Sequence, residues 1–174
     1  LTYSLINNEL KISYNSTSTV PQVFNLSNHS YFILDQAQDV SDYLLEINAF
    51  HRIQTDHQLL PTGKLLSLKN DAYHFSPPKK INQIELDTPF VLNHTSKLGQ
   101  RAASVYSEKS KLRMDVYTDQ DILVCFTPQE FKGICFETQG YPDAPSHENF
   151  KTIVIDKDRP YEQETRYKFE KTAE

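Results

Sequence analysis

The feature that most constrains the fold is a series of short runs, repeated along the whole chain, in which apolar and polar residues alternate. Strand side chains point alternately to opposite faces, so a period of two predicts β-strands with one buried face. Helical periodicity is nearly absent, and the nine prolines lie between these runs or at their ends. Ten tyrosines and ten phenylalanines suit pleated sheet surfaces. The runs are Leu1–Leu5, Glu9–Tyr14, Tyr43–Phe50, Leu65–Leu68, Phe90–Leu92, Ala102–Tyr106, Leu112–Thr118, Asp121–Phe126 and Ile134–Gln139, and together they predict an all-β fold.

Size and charge limit the classes of partner. With 174 residues the chain is long enough for one domain that buries roughly 70% of its unfolded surface. Its net charge is −5. Nucleic-acid-binding proteins usually need a basic patch that neutralises phosphates, so we expect no nucleic-acid partner. No apolar run approaches the roughly 20 residues of a membrane span, so we expect no membrane partner and a cytoplasmic location.

Two cysteines, Cys125 and Cys135, lie in neighbouring strand runs joined by residues 128–133, which predicts a hairpin in which they could face each other. A disulfide is one outcome, but two half-buried free thiols are the more common arrangement in a cytoplasmic protein. If the hairpin centres on Glu130, Glu137 lies opposite Leu123 on the cysteine face. The sequence has no CxxC and no regular Cys/His spacing, so we expect no zinc site.

The segment from Val23 to Phe32 places a histidine and a tyrosine among asparagines and serines. As a strand, it would carry Asn25, Ser27, His29 and Tyr31 on one mostly polar face. Such a face is either solvated or the floor of a hydrogen-bonding cleft, where a histidine can exchange protons near neutral pH. The residues by themselves favour the solvated strand.

Five stretches along the chain carry a resemblance to a known family. They are N-L-S-N-H-S-Y-F (25–32), D-H-Q-L-L-P-T-G-K (56–64), D-T-P-F-V-L (87–92), D-V-Y-T-D (115–119) and C-F-E-T-Q-G-Y-P-D-A-P-S-H-E-N-F (135–150). In this order they resemble the aldose 1-epimerases, the galactose mutarotase family. The resemblance implies an antiparallel β-sandwich, part of a galactose mutarotase-like large sandwich. Because these enzymes are usually about twice this length, it also implies that residues 1–174 are the carboxy-terminal part of a single domain whose amino-terminal half is missing.

The resemblance also implies a reaction, the interconversion of the α and β anomers of free hexoses such as galactose or glucose. A base removes the proton of the C1 hydroxyl while an acid protonates the ring oxygen; the ring opens, C1 rotates, and the ring recloses. The resemblance assigns Glu137 as the base and His29 as the acid, and Asp87 as a residue that binds sugar hydroxyls. It implies neither cofactor nor metal. The missing amino-terminal half would supply another histidine and an arginine, so we expect residues 1–174 alone to be weak or inactive.

Each assigned residue has a structural alternative. Glu137 would otherwise be a strand carboxylate that faces water, and His29 a satisfied core or surface histidine. Asp87 would be a turn cap, because Thr88-Pro89 follow it where the family usually has a histidine or another polar residue. Pro61–Gly63 is predicted to be a turn. The other histidines show no ligand-like spacing and are predicted to be structural: His51, His57, His74, His94 and His147.

Two other functions stay open at this point. The first is a non-catalytic carbohydrate-binding or regulatory module on the same fold, because a fold alone does not establish turnover. The second is a phosphosugar epimerase, which would need a basic cluster supplied mainly by the missing half. Phe126-Thr127-Pro128 and Gly140 depart from residues common in the family, which puts the preferred sugar in question.

Overall fold

The structure, a computed structural model, describes residues 1–36, 39–93, 99–130 and 132–172. These residues form fifteen strands and one short 3-10 helix. The strands are β1 (Thr2–Ile6), β2 (Glu9–Ser16), β3 (Gln22–Val23), β4 (Tyr31–Phe32), β5 (Leu44–Ile47), β6 (Ala49–Thr55), β7 (Pro61–Ser67), β8 (Lys79–Lys80), β9 (Asp87–Leu92), β10 (Arg101–Ser107), β11 (Leu112–Thr118), β12 (Ile122–Phe126), β13 (Ile134–Gln139), β14 (Val154–Ile155) and β15 (Tyr161–Lys171); the helix is Ala144–Ser146.

Two large antiparallel sheets form a sandwich, which confirms the predicted all-β fold class. One sheet has the strand order β1-β2-β15-β11-β10-β5-β8, and the other has the order β4-β13-β12-β9-β6-β7. Apolar side chains of both sheets share one core, in which Val105 and Tyr167 of the first sheet and Phe90 and Phe136 of the second are fully buried. No helix among the described residues is long and apolar enough to cross a membrane.

Strand β13 has one face toward the core and the other on the outer face of the six-stranded sheet. Thr138 lies on the inner face, where its hydroxyl is 2.5 Å from the hydroxyl of Thr165 in the opposite sheet. Because side chains alternate along a strand, Cys135 and Glu137 belong to the outer face. The predicted register was wrong by one residue, since Glu137 pairs with Val124 and not with Leu123. A slip of one residue moves side chains to the other face of a sheet, so the correction decides which groups surround Glu137.

The same register separates the two cysteines. Cys125 pairs with Phe136, and Cys135 pairs with Phe126, so the two thiols lie on opposite faces of the hairpin. Both are buried and free. The expectation that they face each other was wrong, and the preference for free thiols is confirmed.

The segment before β4 is not the continuous strand that its alternation predicted. Only residues 22–23 and 31–32 pair as strands, and residues 24–30 run without a backbone ladder. Side chains make the hydrogen bonds instead, because Asn and Ser readily bond to backbone groups. Asn25 bonds to both backbone groups of Gly140, and Ser27 donates to the carbonyl of Thr138.

One prediction about local structure needs correction, and the structural alternative for Asp87 is excluded. Pro61–Gly63 is the start of strand β7 and not a turn, although Gly63 has the expected positive φ of 80°. The register of β7 against β6 shifts at this point, which is a β-bulge where glycine tolerates the unusual backbone. Asp87 begins strand β9 opposite Phe126, so it is a strand residue and not a turn cap. His94 lies outside the described residues.

Candidate active site

Glu137 and His29, distant in sequence, form an ion pair on the outer face of the six-stranded sheet. His29 Nε2 lies 3.3 Å from Glu137 Oε1. The two side chains differ in exposure, since 51% of the His29 side chain and 19% of the Glu137 side chain are accessible to solvent. A half-buried carboxylate beside an accessible imidazole is an arrangement in which one group can accept a proton and the other can deliver one.

Strand β13 positions Glu137, and its neighbour Thr138 anchors the segment that carries His29. The carbonyl of Thr138 accepts a hydrogen bond from Ser27 at 3.0 Å and another from Gln163 Nε2 at 2.8 Å. The side-chain oxygen of Gln163 accepts a hydrogen bond from the hydroxyl of Tyr161. This hydroxyl accepts a hydrogen bond from the backbone N–H of Leu26 at 3.2 Å. This closed set of bonds fixes the 24–30 segment to the strand that carries Glu137.

The pKa of Glu137 is raised above its usual value. Burial is the main cause, because a low dielectric disfavours the charged carboxylate. The positive charge of His29 acts in the opposite direction and lowers the pKa, while the nearby negative charge of Asp87 raises it. Glu137 therefore holds a proton to higher pH than an exposed glutamate, which suits a base that works near neutral pH.

The second nitrogen of His29 contacts a thiol. Nδ1 lies 3.5 Å from Cys135 Sγ, and burial raises the pKa of this thiol to about 12, so it remains protonated. A thiol can accept a hydrogen bond from a protonated Nδ1 or donate one to an unprotonated Nδ1. Cys135 can thus form a hydrogen bond with His29 Nδ1 both before and after a proton transfer at Nε2.

Three side chains at this site form the group of possible metal donors among the described residues: those of His29, Cys135 and Glu137. Their donor atoms lie within 4.8 Å of one another. However, the two ring nitrogens of His29 face different partners, and one ion can take only one of them. The arrangement fits proton exchange at Nε2 better than it fits a shared ion.

Asp87 lies beside the pair and borders a cleft. Its strand neighbour across β9 and β12 is Phe126, whose ring centroid is 5.7 Å from that of His29. Asp87 and Phe126 both line a cleft of about 440 Å³ that continues away from Glu137. The three residues assigned from the sequence, His29, Asp87 and Glu137, are therefore brought together at one place on the sheet.

Comparison with known proteins identifies the family. The family described as aldose 1-epimerase matches residues 1–168. The chain belongs to the aldose 1-epimerase family. It is 24% identical to the maltose epimerase of Levilactobacillus brevis and 27% identical to the galactose mutarotase of Homo sapiens, in both cases over 97% of this chain and 56% of the relative. The chain thus spans about half the length of the relatives it matches.

The fold agrees with that of a solved member of this family. An aldose epimerase homologue from C. elegans superposes with a TM-score of 0.90, over 98% of this chain and 59% of the other, at 22% identity. The large sandwich expected for an aldose epimerase is therefore confirmed at the level of the fold.

Sequence reasoning missed three residues of the candidate site. Cys135 was considered as a disulfide partner or a free thiol, with the free thiol preferred, and its contact with His29 was not expected. Tyr161 and Gln163 lie in a strand of the opposite sheet, and a pattern of alternation gives no sign that they bond to the site. Gln163 is, however, a polar side chain at an inward position of β15, and a polar residue in an apolar row is a signal that such a bond exists.

Proposed function

We propose that this protein is an aldose 1-epimerase that interconverts the α and β anomers of free hexoses, galactose or glucose, with Glu137 as base and His29 as acid. The observation that carries the proposal is the 3.3 Å separation between His29 Nε2 and Glu137 Oε1. The two oxygens that must lose and gain a proton are bonded to the same carbon of the sugar. An acid and a base that serve them must therefore lie close together, on the same side of the substrate.

The proposed reaction starts with Glu137 ionised and His29 protonated. Glu137 takes the proton of the C1 hydroxyl as His29 Nε2 gives its proton to the ring oxygen, and the bond between C1 and the ring oxygen breaks. Rotation about the bond between C1 and C2 exposes the other face of the aldehyde. Ring closure then returns the first proton from Glu137 and the second to His29, so both groups regain their starting states.

Asp87 has a binding role in this proposal. An ionised carboxylate accepts hydrogen bonds from two sugar hydroxyls, and Asp87 is exposed beside the catalytic pair. The relatives that the chain matches are named for maltose and for galactose, which supports a reducing sugar as the substrate class.

We further propose that residues 1–174 are the carboxy-terminal part of one larger domain. The support is that the chain covers 56% of the length of its relatives. In this proposal the amino-terminal half provides further groups that orient the sugar, and catalysis depends on that orientation. Full activity is then expected only when both halves are present.

Polarimetry of freshly dissolved α-D-galactose and α-D-glucose tests the proposal. The 174-residue chain and the full-length protein, which restores the upstream half, are compared at equal concentration. We expect acceleration by the full-length protein and little or none by the shorter chain. Full activity of the 174-residue chain would overturn the proposed division of the site, and no acceleration by either would favour a sugar-binding module.

The variant Glu137→Gln separates catalysis from binding. The amide keeps the shape of the side chain and removes the base, so turnover by the full-length protein is expected to fall by roughly 100-fold or more while sugar binding is largely retained. The matched control Glu148→Gln changes an exposed glutamate of the same chain and should leave turnover unchanged. Unaltered turnover of Glu137→Gln would remove Glu137 from its role.

A further inference from the structure

An apolar patch separates Glu137 from the cleft. Val124 of β12 is the strand neighbour of Glu137 on one side and of Pro89 in β9 on the other. All three side chains belong to the outer face, because side chains alternate and the next residue along β9, Phe90, lies in the core. Pro89 is buried at the wall of the cleft, and Val124 is partly exposed. The surface next to Glu137 therefore presents apolar atoms to a bound molecule.

The side chain of Val124 is held in place by packing. It contacts a small apolar cluster, whose buried members are Ile53, Ile122, Ala144 and Phe150. Branching at Cβ further restricts the rotamers of a valine. Neither valine nor proline has a side-chain hydrogen-bond donor or acceptor, so a hydroxyl group placed against this patch finds no partner in either side chain.

Two parallel rows of outer-face residues cross strands β13, β12 and β9. The first row is Cys135, Phe126 and Asp87, and the second row is Glu137, Val124 and Pro89. His29 lies over the first row, since its Nδ1 is 3.5 Å from Cys135 Sγ and its ring centroid is 5.7 Å from that of Phe126. The rows are two residues apart, which is about 7 Å along a strand. A sugar ring that lies on the sheet therefore reaches both rows.

The rows fix how a substrate of the proposed reaction lies. Its ring oxygen is at His29, over the first row, and its C1 hydroxyl is at Glu137, in the second row. The segment 24–30 is bonded to β13 through Ser27 and Asn25, so the sugar extends to the other side, over β12. The remaining ring bond of C1 leads to C2, which therefore lies in the second row, against Val124. Asp87 ends the first row and faces the hydroxyls on the ring-oxygen edge of the sugar.

We infer that Val124 determines the specificity at C2, so that 2-deoxyaldoses are substrates comparable with their parent hexoses. This inference rests on the proposed function and adds a substrate class to it. A site that binds a substrate hydroxyl by a hydrogen bond rejects the analogue without that hydroxyl, because the protein's own polar group is then left unpaired. Val124 has no such group to lose a partner, and its apolar contact suits a CH₂ group at C2.

Polarimetry of the full-length protein with two matched pairs of sugars tests the inference. The pairs are D-glucose with 2-deoxy-D-glucose and D-galactose with 2-deoxy-D-galactose, and the uncatalysed rate of each sugar is subtracted. We expect kcat/KM of each 2-deoxy sugar to be at least about one-fifth of the value for its parent, because the loss of one hydrogen bond costs about fivefold or more. A lower value for either 2-deoxy sugar would overturn the inference.

The variant Val124→Thr keeps the shape of the side chain and places a hydroxyl against C2. The ratio of kcat/KM for glucose to kcat/KM for 2-deoxyglucose should rise about 3- to 10-fold, the contribution of one hydrogen bond. The ratio is the readout because an effect of the new hydroxyl on Glu137 acts on both sugars alike. The matched control Val91→Thr changes another partly buried valine that packs against the same cluster, and it should keep the wild-type ratio. An unchanged ratio in Val124→Thr, or an equal rise in both variants, would overturn the role of Val124.

Calorimetric titration of the wild-type protein separates this inference from the proposed function. If none of the four sugars is accelerated, the proposed reaction is refuted, and binding alone then decides the inference. A Kd for each 2-deoxy sugar within about fivefold of the value for its parent would retain the apolar contact at C2, whereas binding weaker than that would overturn it. Absence of binding by all four sugars would refute both.

Discussion

The hydroxyl of Tyr161 provides the sharpest test of how the two sheets fix the site. Tyr161→Phe removes one oxygen atom and keeps the ring, which packs edge-on against Phe24 with centroids 4.9 Å apart. Burial raises the pKa of Tyr161 to about 12, so the hydroxyl is neutral throughout the accessible pH range. The variant leaves the N–H of Leu26 and the side-chain oxygen of Gln163 without this partner.

The expected cost follows from the burial of the groups that lose their partner. Gln163 is 3% exposed, so water does not readily replace the lost hydroxyl at its oxygen. An unsatisfied buried polar group costs about 1–3 kcal/mol, which is the decrease expected in the free energy of unfolding. Gln163 also donates to the carbonyl of Thr138, beside Glu137, and a shift there would displace the carboxylate that we propose as the base. A displacement of this kind is expected to lower kcat by about tenfold or more in the full-length protein.

Urea denaturation measures the change in stability, and polarimetry at saturating sugar measures kcat at a temperature where the variant is fully folded. Tyr43→Phe is the matched control, because the Tyr43 hydroxyl likewise accepts hydrogen bonds from the backbone, in its case from the N–H groups of Leu34 and Asp35. The control should lose comparable stability and keep its kcat. An equal loss of kcat in both variants, or a destabilisation by Tyr161→Phe below about 0.5 kcal/mol, would refute the reasoning.

Two further predictions concern the groups around the proposed catalytic pair. Asp87→Asn removes a negative charge that raises the pKa of Glu137. The acidic limb of the profile of kcat/KM against pH should therefore move to lower pH. A limb that stays in place or moves to higher pH would contradict the assigned electrostatics. Cys135→Ala removes the partner of His29 Nδ1 and should lower kcat by about 2- to 10-fold at unchanged KM, whereas Cys135→Ser, which can still donate and accept, should recover most of it. If alanine and serine at this position gave the same kcat, the contact would have no part in proton transfer.

The positions of most strands could be predicted because each strand carries its own pattern. Leu112–Thr118 and Ile134–Gln139 match β11 and β13 to the residue. The register between strands was harder to predict from the sequence. It depends on the loop between β12 and β13, and that loop has no short turn sequence that fixes its length. An error of one residue placed Glu137 opposite Leu123 and the two cysteines on the same face.

The segment that carries His29 shows a different limit of sequence reasoning. Its alternation is real, but Asn25 and Ser27 use their side chains to bind the backbone of Gly140 and Thr138, and no ladder forms. Polar side chains can substitute for backbone partners in this way only when a suitable strand lies alongside. That strand is β13, more than a hundred positions later, so local pattern alone could not decide between a solvated strand and this arrangement.

The environment of Glu137 is itself an argument against a purely structural role. Its pKa in the folded state is raised, so the unfolded chain loses this proton first as pH increases, and the folded state becomes less stable between the two pKa values. Above the pKa of the folded state, the ionised, half-buried carboxylate therefore makes the fold less stable than an exposed glutamate would, and the attraction to His29 offsets only part of that effect. A glutamine would fill the same space without this penalty. What the carboxylate adds is a proton acceptor with a pKa closer to neutrality, held 3.3 Å from a proton donor. A cost in stability at a position with that chemical capacity is typical of a catalytic group, and it supports the proposed role of Glu137 in proton transfer beside the geometry of the pair.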